Sequence, residues 1–160
     1  MILKITFALV VAFIALIVAV RVIAQKAPRP DRMGIANGRL IPCPDKPNCV
    51  SSSEDLKPFD YNGDSEAAHR ALLSILENWP RTTIVLTAEN YIHVEFRSLV
   101  FSFIDDAEFY LPNDDRIIHY RSAARTGHSD LGVNSARIAE IESRFVELMK
   151  TTPARKGTEP

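Results

Sequence analysis

Apolar positions follow three patterns along the chain. From Ile5 to Val20 the run is unbroken, with Ile2-Leu3 before it and Val22-Ile23-Ala24 after it, and only Lys4 and Arg21 interrupt. Spanning a bilayer takes roughly 20 mostly apolar residues, so residues 1–24 are expected to form a transmembrane anchor or a long secretory signal. Ala68, Leu72, Ile75, Leu76 and Trp79 then recur at helical spacing, after Asp64 as N-cap and before the breaker Pro80. Strand patterns follow at Thr82–Thr87, Tyr91–Ser98, Phe101–Tyr110 and Arg116–Ala123, with a turn at Leu111–Asp115. Asn134 is expected to cap a last helix whose apolar stripe is Ile138, Ile141, Phe145, Leu148 and Met149. This order predicts an α+β fold: a four-stranded antiparallel meander flanked by two helices on its apolar face, preceded by an N-terminal transmembrane helix.

The patterns divide the chain. Residues 25–39 are polar, basic and proline-containing and read as a tether. Residues 40–150 hold the α+β domain, and 151–160 read as a disordered tail. The whole chain has a net charge of −1; without residues 1–24, which hold Lys4 and Arg21 and no acid, 17 basic residues face 20 acidic ones, net −3. That balance is not the footprint of a nucleic-acid binder.

The two cysteines, Cys43 and Cys49, stand in Pro42-Cys-Pro-Asp-Lys-Pro-Asn-Cys49. So close a pair in a proline-stiffened loop suits a disulfide in an oxidising compartment such as the periplasm; two free thiols in a cytosolic loop are the alternative. No further cysteine or histidine spacing completes a structural metal site. Orientation draws opposing signals. Arg21, Lys26, Arg29, Arg32 and Arg39 follow the apolar run and favour the cytoplasm, whereas the cysteines favour the outside. The preferred reading is a single-pass inner-membrane protein with its soluble domain in the periplasm. The alternative is secretion to the periplasm after cleavage following Ala24, where Val22-Ile23-Ala24 fits a signal-peptidase site.

Alternation places His93, Glu95 and Arg97, then Asp106 and Glu108, then His119 and Arg121, on the sheet face away from the helices. Such a face is either solvated and laced with weak ion pairs, or a polar pocket. A pocket requires cover from the Cys43–Cys49 segment or the Arg125–Gly132 loop, and cover would desolvate the charges. The segment from Arg121 to Asn134 leaves a strand, turns at Gly127 and Gly132 and enters a helix. Arg121, Arg125 and the helix start could hold a phosphate or carboxylate, with Ser129 and Asp130 beside them. Otherwise Asp130 and Asn134 cap local donors and the arginines pair with Asp105, Asp106 or Glu108.

Arg121-Ser-Ala-Ala-Arg-Thr-Gly-His-Ser-Asp-Leu-Gly-Val-Asn134 resembles the hallmark of domain-of-unknown-function family 1499. So do Pro42-Cys43-Pro44 with Pro47-Asn48-Cys49-Val50-Ser51-Ser52, and Tyr91–Ser98 with Phe103–Phe109. The resemblance covers Leu40 to about Phe145 and implies a setting in bacterial envelopes or plastids, with no established activity and no catalytic residue to carry over. Ala124 departs from the serine expected there.

The preferred function is non-enzymatic: a membrane-tethered envelope domain that binds a small ligand, a lipid or a partner protein. Its candidate partners are the membrane, an envelope complex or a small anionic ligand; neither nucleic acid nor a metal or other cofactor is called for. The alternative is a serine or metal-dependent hydrolase of the envelope. Ser51, Ser52, Ser122 and Ser129 supply possible nucleophiles, His93, His119 and His128 possible bases, and Asp105, Asp106 and Asp130 possible orienting groups, but there is no Gly-x-Ser-x-Gly elbow. His93, Glu95 and His119 are the metal-ligand candidates.

Overall fold

In a computed structural model, which describes residues 1–53 and 56–151, the apolar run folds as helix α1 (Ile2–Gln25). It is long and apolar enough to cross a membrane, and Ala24 is its one buried residue. The stretch expected as a tether then returns to the domain. It carries the hairpin of β1 (Ile35–Ala36) and β2 (Arg39–Leu40), closed by the Ile41 N–H donating to the Gly34 carbonyl.

Strands β3 (Cys49–Ser51) and β4 (Phe59–Asp60) precede helix α2 (Ser65–Glu77). Asp64 caps α2, accepting from the Glu66 N–H, as the sequence predicts. Then come β5 (Thr82–Ala88), β6 (Tyr91–Arg97), β7 (Ile104–Tyr110), β8 (Ile117–Ala124) and helix α3 (Val133–Thr151). The expected meander is present as β5–β6–β7–β8, antiparallel throughout. The sheet, however, has six strands and not four. Both β3 and β4 lie along the free edge of β8, β3 against Arg121–Ala123 and β4 against Ile117 and Ile118. Strands of two or three residues are too short to show a period, so their pairing is written only in the tertiary structure. The third strand begins at Ile104 and not Phe101, because Ser98 to Phe103 close a tight loop. In it the Ser98 N–H donates to the Phe103 carbonyl, and the Ser98 hydroxyl accepts from the Phe103 N–H. Residues 152–160, nearly all of the expected tail, lie outside the described residues.

Both helices cover one sheet face. Ile92, Val94, Phe96, Ala107, Phe109, Ile118 and Tyr120 meet Leu72 and Leu76 of α2 and Ile138, Ile141 and Phe145 of α3. One expectation at α3 is corrected. Asn134 is not its cap: it lies inside the helix, fully buried, accepting from the Ser122 hydroxyl (2.6 Å) and Arg137 (2.8 Å). The Asp130 carboxylate does the capping, accepting from the N–H groups of Gly132 (3.1 Å) and Asn134 (2.8 Å). An asparagine next to a loop reads as a cap by residue type alone, but here the neighbouring strand offers it stronger partners.

Candidate functional site

The sheet face opposite the helices takes its composition from the pairing register. His93 stands opposite Glu108, Glu95 opposite Asp106, Glu108 opposite Arg121, and Tyr110 opposite His119. The face is buried. Glu95, Asp106, Glu108 and Arg121 are each at most 6% exposed. Of the two segments named above as the potential cover, the 125–132 loop contributes only its first residue, Arg125, which bonds to Glu95 and Asp106. The returning tether supplies the rest: Arg29 pairs with Glu95 at 3.0 Å, and the Gly34 N–H donates to Glu108. Gly34 has φ +96°, a backbone state that disfavours any side chain and here turns its N–H onto the carboxylate.

Two charge networks result. In the first, Arg125 donates to both oxygens of Asp106 (2.6 and 2.7 Å) and to Glu95 (2.6 Å). His93 Nε2 lies 2.8 Å from Asp106, and Arg97 donates to Glu95 at 2.8 Å. In the second, Glu108 accepts from Arg121 (2.7 Å), from the Tyr91 hydroxyl (2.7 Å) and from Gly34. Thus His93, Glu95, Arg97, Asp106 and Arg125 come together, and Glu108 and Arg121 form a pair beside them.

The other candidates stand elsewhere. His119 shares the face but bonds through Nδ1 to the Ser52 hydroxyl at 3.1 Å, and its ring stacks on Tyr110. Ser129 accepts from the Leu131 N–H and, with Asp130, builds the entry to α3. The hydrolase arrangements are not assembled among the described residues. Ser52–His119 has no carboxylate bonded to the histidine, while His93–Asp106 has no serine. Nor do His93, Glu95 and His119 form a metal-holding group among the described residues; His93 is engaged by Asp106 and His119 by Ser52.

Beside the networks lies a cavity of about 550 Å³ between β8, the tether and the cysteine loop. Arg29, Arg32, Lys46, Arg121 and Arg125 line it against one acid, Asp31. Pro28, Pro30, Pro42 and Pro44 stiffen its walls, and the Cys43–Cys49 disulfide closes one of them. Buried in the wall is Arg121, whose Nε has no hydrogen-bond partner among the described residues although its Nη1 is held by Glu108. Arg32 and Lys46 are exposed and make no ion pair among the described residues.

The networks shift the titration of their members. Burial disfavours charge on Glu95 and Asp106, but bonds from Arg125, with Arg29 at Glu95 and His93 at Asp106, outweigh it and hold both carboxyls below their usual values. Burial lowers His119 and raises Asp105, the latter against its partner Arg137 at 2.7 Å. The signs predict acid sensitivity. The unfolded chain takes up protons at Glu95 and Asp106 before the folded one does, so their contribution is full at neutral pH and is lost as pH falls below about 4.5. His119 acts in the same direction from about pH 6.5 downward, while Asp105 opposes both. The urea midpoint is expected to drop between pH of about 7 and about 4. An unchanged midpoint would show that these pairs are solvated.

Several contributors are absent from the sequence-derived set: Arg29, Gly34, Tyr91, Asn48 and Arg137. Asn48 donates to the Ala124 and Gly127 carbonyls, fixing the start of the 125–132 loop. Arg29 and Gly34 carried no signal, because a basic, proline-containing stretch reads as solvated chain. Tyr91 was visible on the polar side of its strand, two positions before His93, the residue that the register sets opposite Glu108.

A family model described as a protein of unknown function (DUF1499) matches residues 39–145. No curated protein matches the chain.

Proposed function

Because the chain belongs to the DUF1499 family, whose function is unknown, its role must be sought in its own residues, and we propose a membrane-tethered envelope domain, on the oxidising side of the membrane, that holds a small anion. The observation that carries this reading is Arg121 Nε, a buried charged donor without a partner in the wall of a cavity whose other lining charges are four cations and one acid. A buried donor left unpaired costs free energy, and an incoming anion oxygen would relieve it. The prolines and the disulfide support the reading, since a stiff wall loses little entropy when a ligand enters. The disulfide also supports the oxidising compartment, and α1 the tether.

Calorimetric titration of the full-length protein with inorganic phosphate tests it. Saturable binding is expected, weakened roughly 10- to 100-fold by Arg121→Gln, one charge-assisted bond contributing about 1.5–3 kcal/mol. Because Arg121 also holds Glu108, the exposed Arg32→Gln and Lys46→Gln variants are measured beside it; each is expected to weaken binding with melting unchanged. Absence of saturable binding, or equal binding in all three variants, would overturn the anion site.

A further inference from the structure

After α1, ten large apolar residues are exposed among the described residues, and six of them crowd into the loop between β6 and β7 and the entry to α3. Leu99, Val100, Phe101 and Phe103 lie between β6 and β7; Leu131 and Val133 lie at the start of α3. The loops are neighbours, since Phe103, Leu131 and Val133 line one groove of about 410 Å³. A contiguous apolar patch of this kind marks an interaction surface.

The position of the patch indicates what covers it. Arg21, one turn before the end of α1, donates through Nε to the Ser102 hydroxyl at 3.2 Å, in the middle of the first loop. From Ile2 to Arg21 a helix rises about 28 Å, close to the roughly 30 Å hydrocarbon thickness of a bilayer. If α1 spans, Arg21 therefore stands where hydrocarbon gives way to headgroups, and Ser102 with it. Both loops also hold a non-glycine residue in the left-handed region, Ser102 at φ +56° and Leu131 at φ +55°. Leucine seldom adopts that state, and here it leaves the side chain 93% exposed.

We propose that the 99–103 loop and Leu131 dock into the interface of the bilayer that α1 enters, so that the domain lies on the membrane and does not hang above it. This inference rests on the membrane-anchor reading of α1 but is independent of the anion site.

The test uses the full chain, one copy per lipid nanodisc, with bromine placed either near the headgroups or at the chain ends. Phe101→Trp and Leu131→Trp report on the loops, and Phe13→Trp reports on mid-α1; Trp79, packed on Phe96, is the constant background. Both loop tryptophans are expected to lose most of their added emission to bromine near the headgroups, and Phe13→Trp to bromine at the chain ends. If Phe13→Trp is quenched while the loop tryptophans are not, α1 spans and the docking surface is overturned, including the case where a protein covers these loops in native membranes. If none of the three is quenched, the anchor reading falls with it.

Discussion

Replacing Arg125 with alanine is expected to cost roughly 3–5 kcal/mol, the usual penalty for stripping one partner from a buried ion pair. The side chain is 5% exposed, and its two partners, Glu95 and Asp106, are buried as deeply. Its loss falls unevenly on them. Glu95 keeps Arg29 and Arg97, both more exposed, whereas Asp106 keeps only His93. Most of the penalty is therefore an uncompensated charge at Asp106. For a domain of this size the melting temperature should fall by roughly 10–20 °C. The double variant Arg125→Met with Asp106→Asn is expected to recover much of the loss, because a buried pair is strongly destabilising when broken and near neutral when replaced as a whole. Urea denaturation of both proteins decides it. A single-variant loss under about 1 kcal/mol would place the network with surface salt bridges.

Phe59→Ala is expected to destabilise by a similar amount, about 3–5 kcal/mol, for an unrelated reason. Phe59 is fully buried, with ring centroids 4.9 Å from Tyr120, 6.3 Å from Phe145 and 6.4 Å from Phe109. It thus joins β4 to the sheet and to α3 at once. Truncation leaves a void among rings that belong to three different elements and cannot all close on it. Phe59→Leu, which keeps most of the volume, should cost much less. Equal losses for the two would point to a backbone effect in β4 in place of a cavity.

These residues sit on opposite sides of what the sequence discloses. β6 was readable because seven residues alternate without exception, and the register then placed its polar side chains against those of β7 and β8 as expected. The α2 stripe, its Asp64 cap and the Cys43–Cys49 link were equally local signals. Phe59 was not readable. A two-residue strand has no period, and its partner on β8 is about 60 positions away. The cover of the polar face was hidden for the same reason. Arg29 and Glu95 are 66 residues apart, and nothing within the basic stretch marks it as anything but solvated chain. The candidate site was therefore legible as a set of charges on one face, and the pairing of Arg121 and Arg125 with acids of the neighbouring strand was among the readings, while the burial of that face under the returning stretch was not. The start of α3 shows a third kind of limit. Asp130 and Asn134 are both capping residues by type, and only the presence of Ser122 and Arg137 assigns one to the cap and the other to the interior.

The bond between Arg29 and Glu95 also limits how far the domain can travel. Three residues separate Gln25, the end of α1, from Arg29, and the four steps between them reach about 14 Å when fully extended. A free linker of the length first read from the sequence would let the domain sweep a hemisphere and meet partners at many heights. With the leash shortened, and on the proposal that α1 spans a bilayer, that search collapses to a thin layer next to it. On that proposal, a partner within the plane of the same bilayer meets the domain at one height. For a neighbour in that plane, confinement raises the effective concentration without any new contact, which makes even a weak complex worth forming.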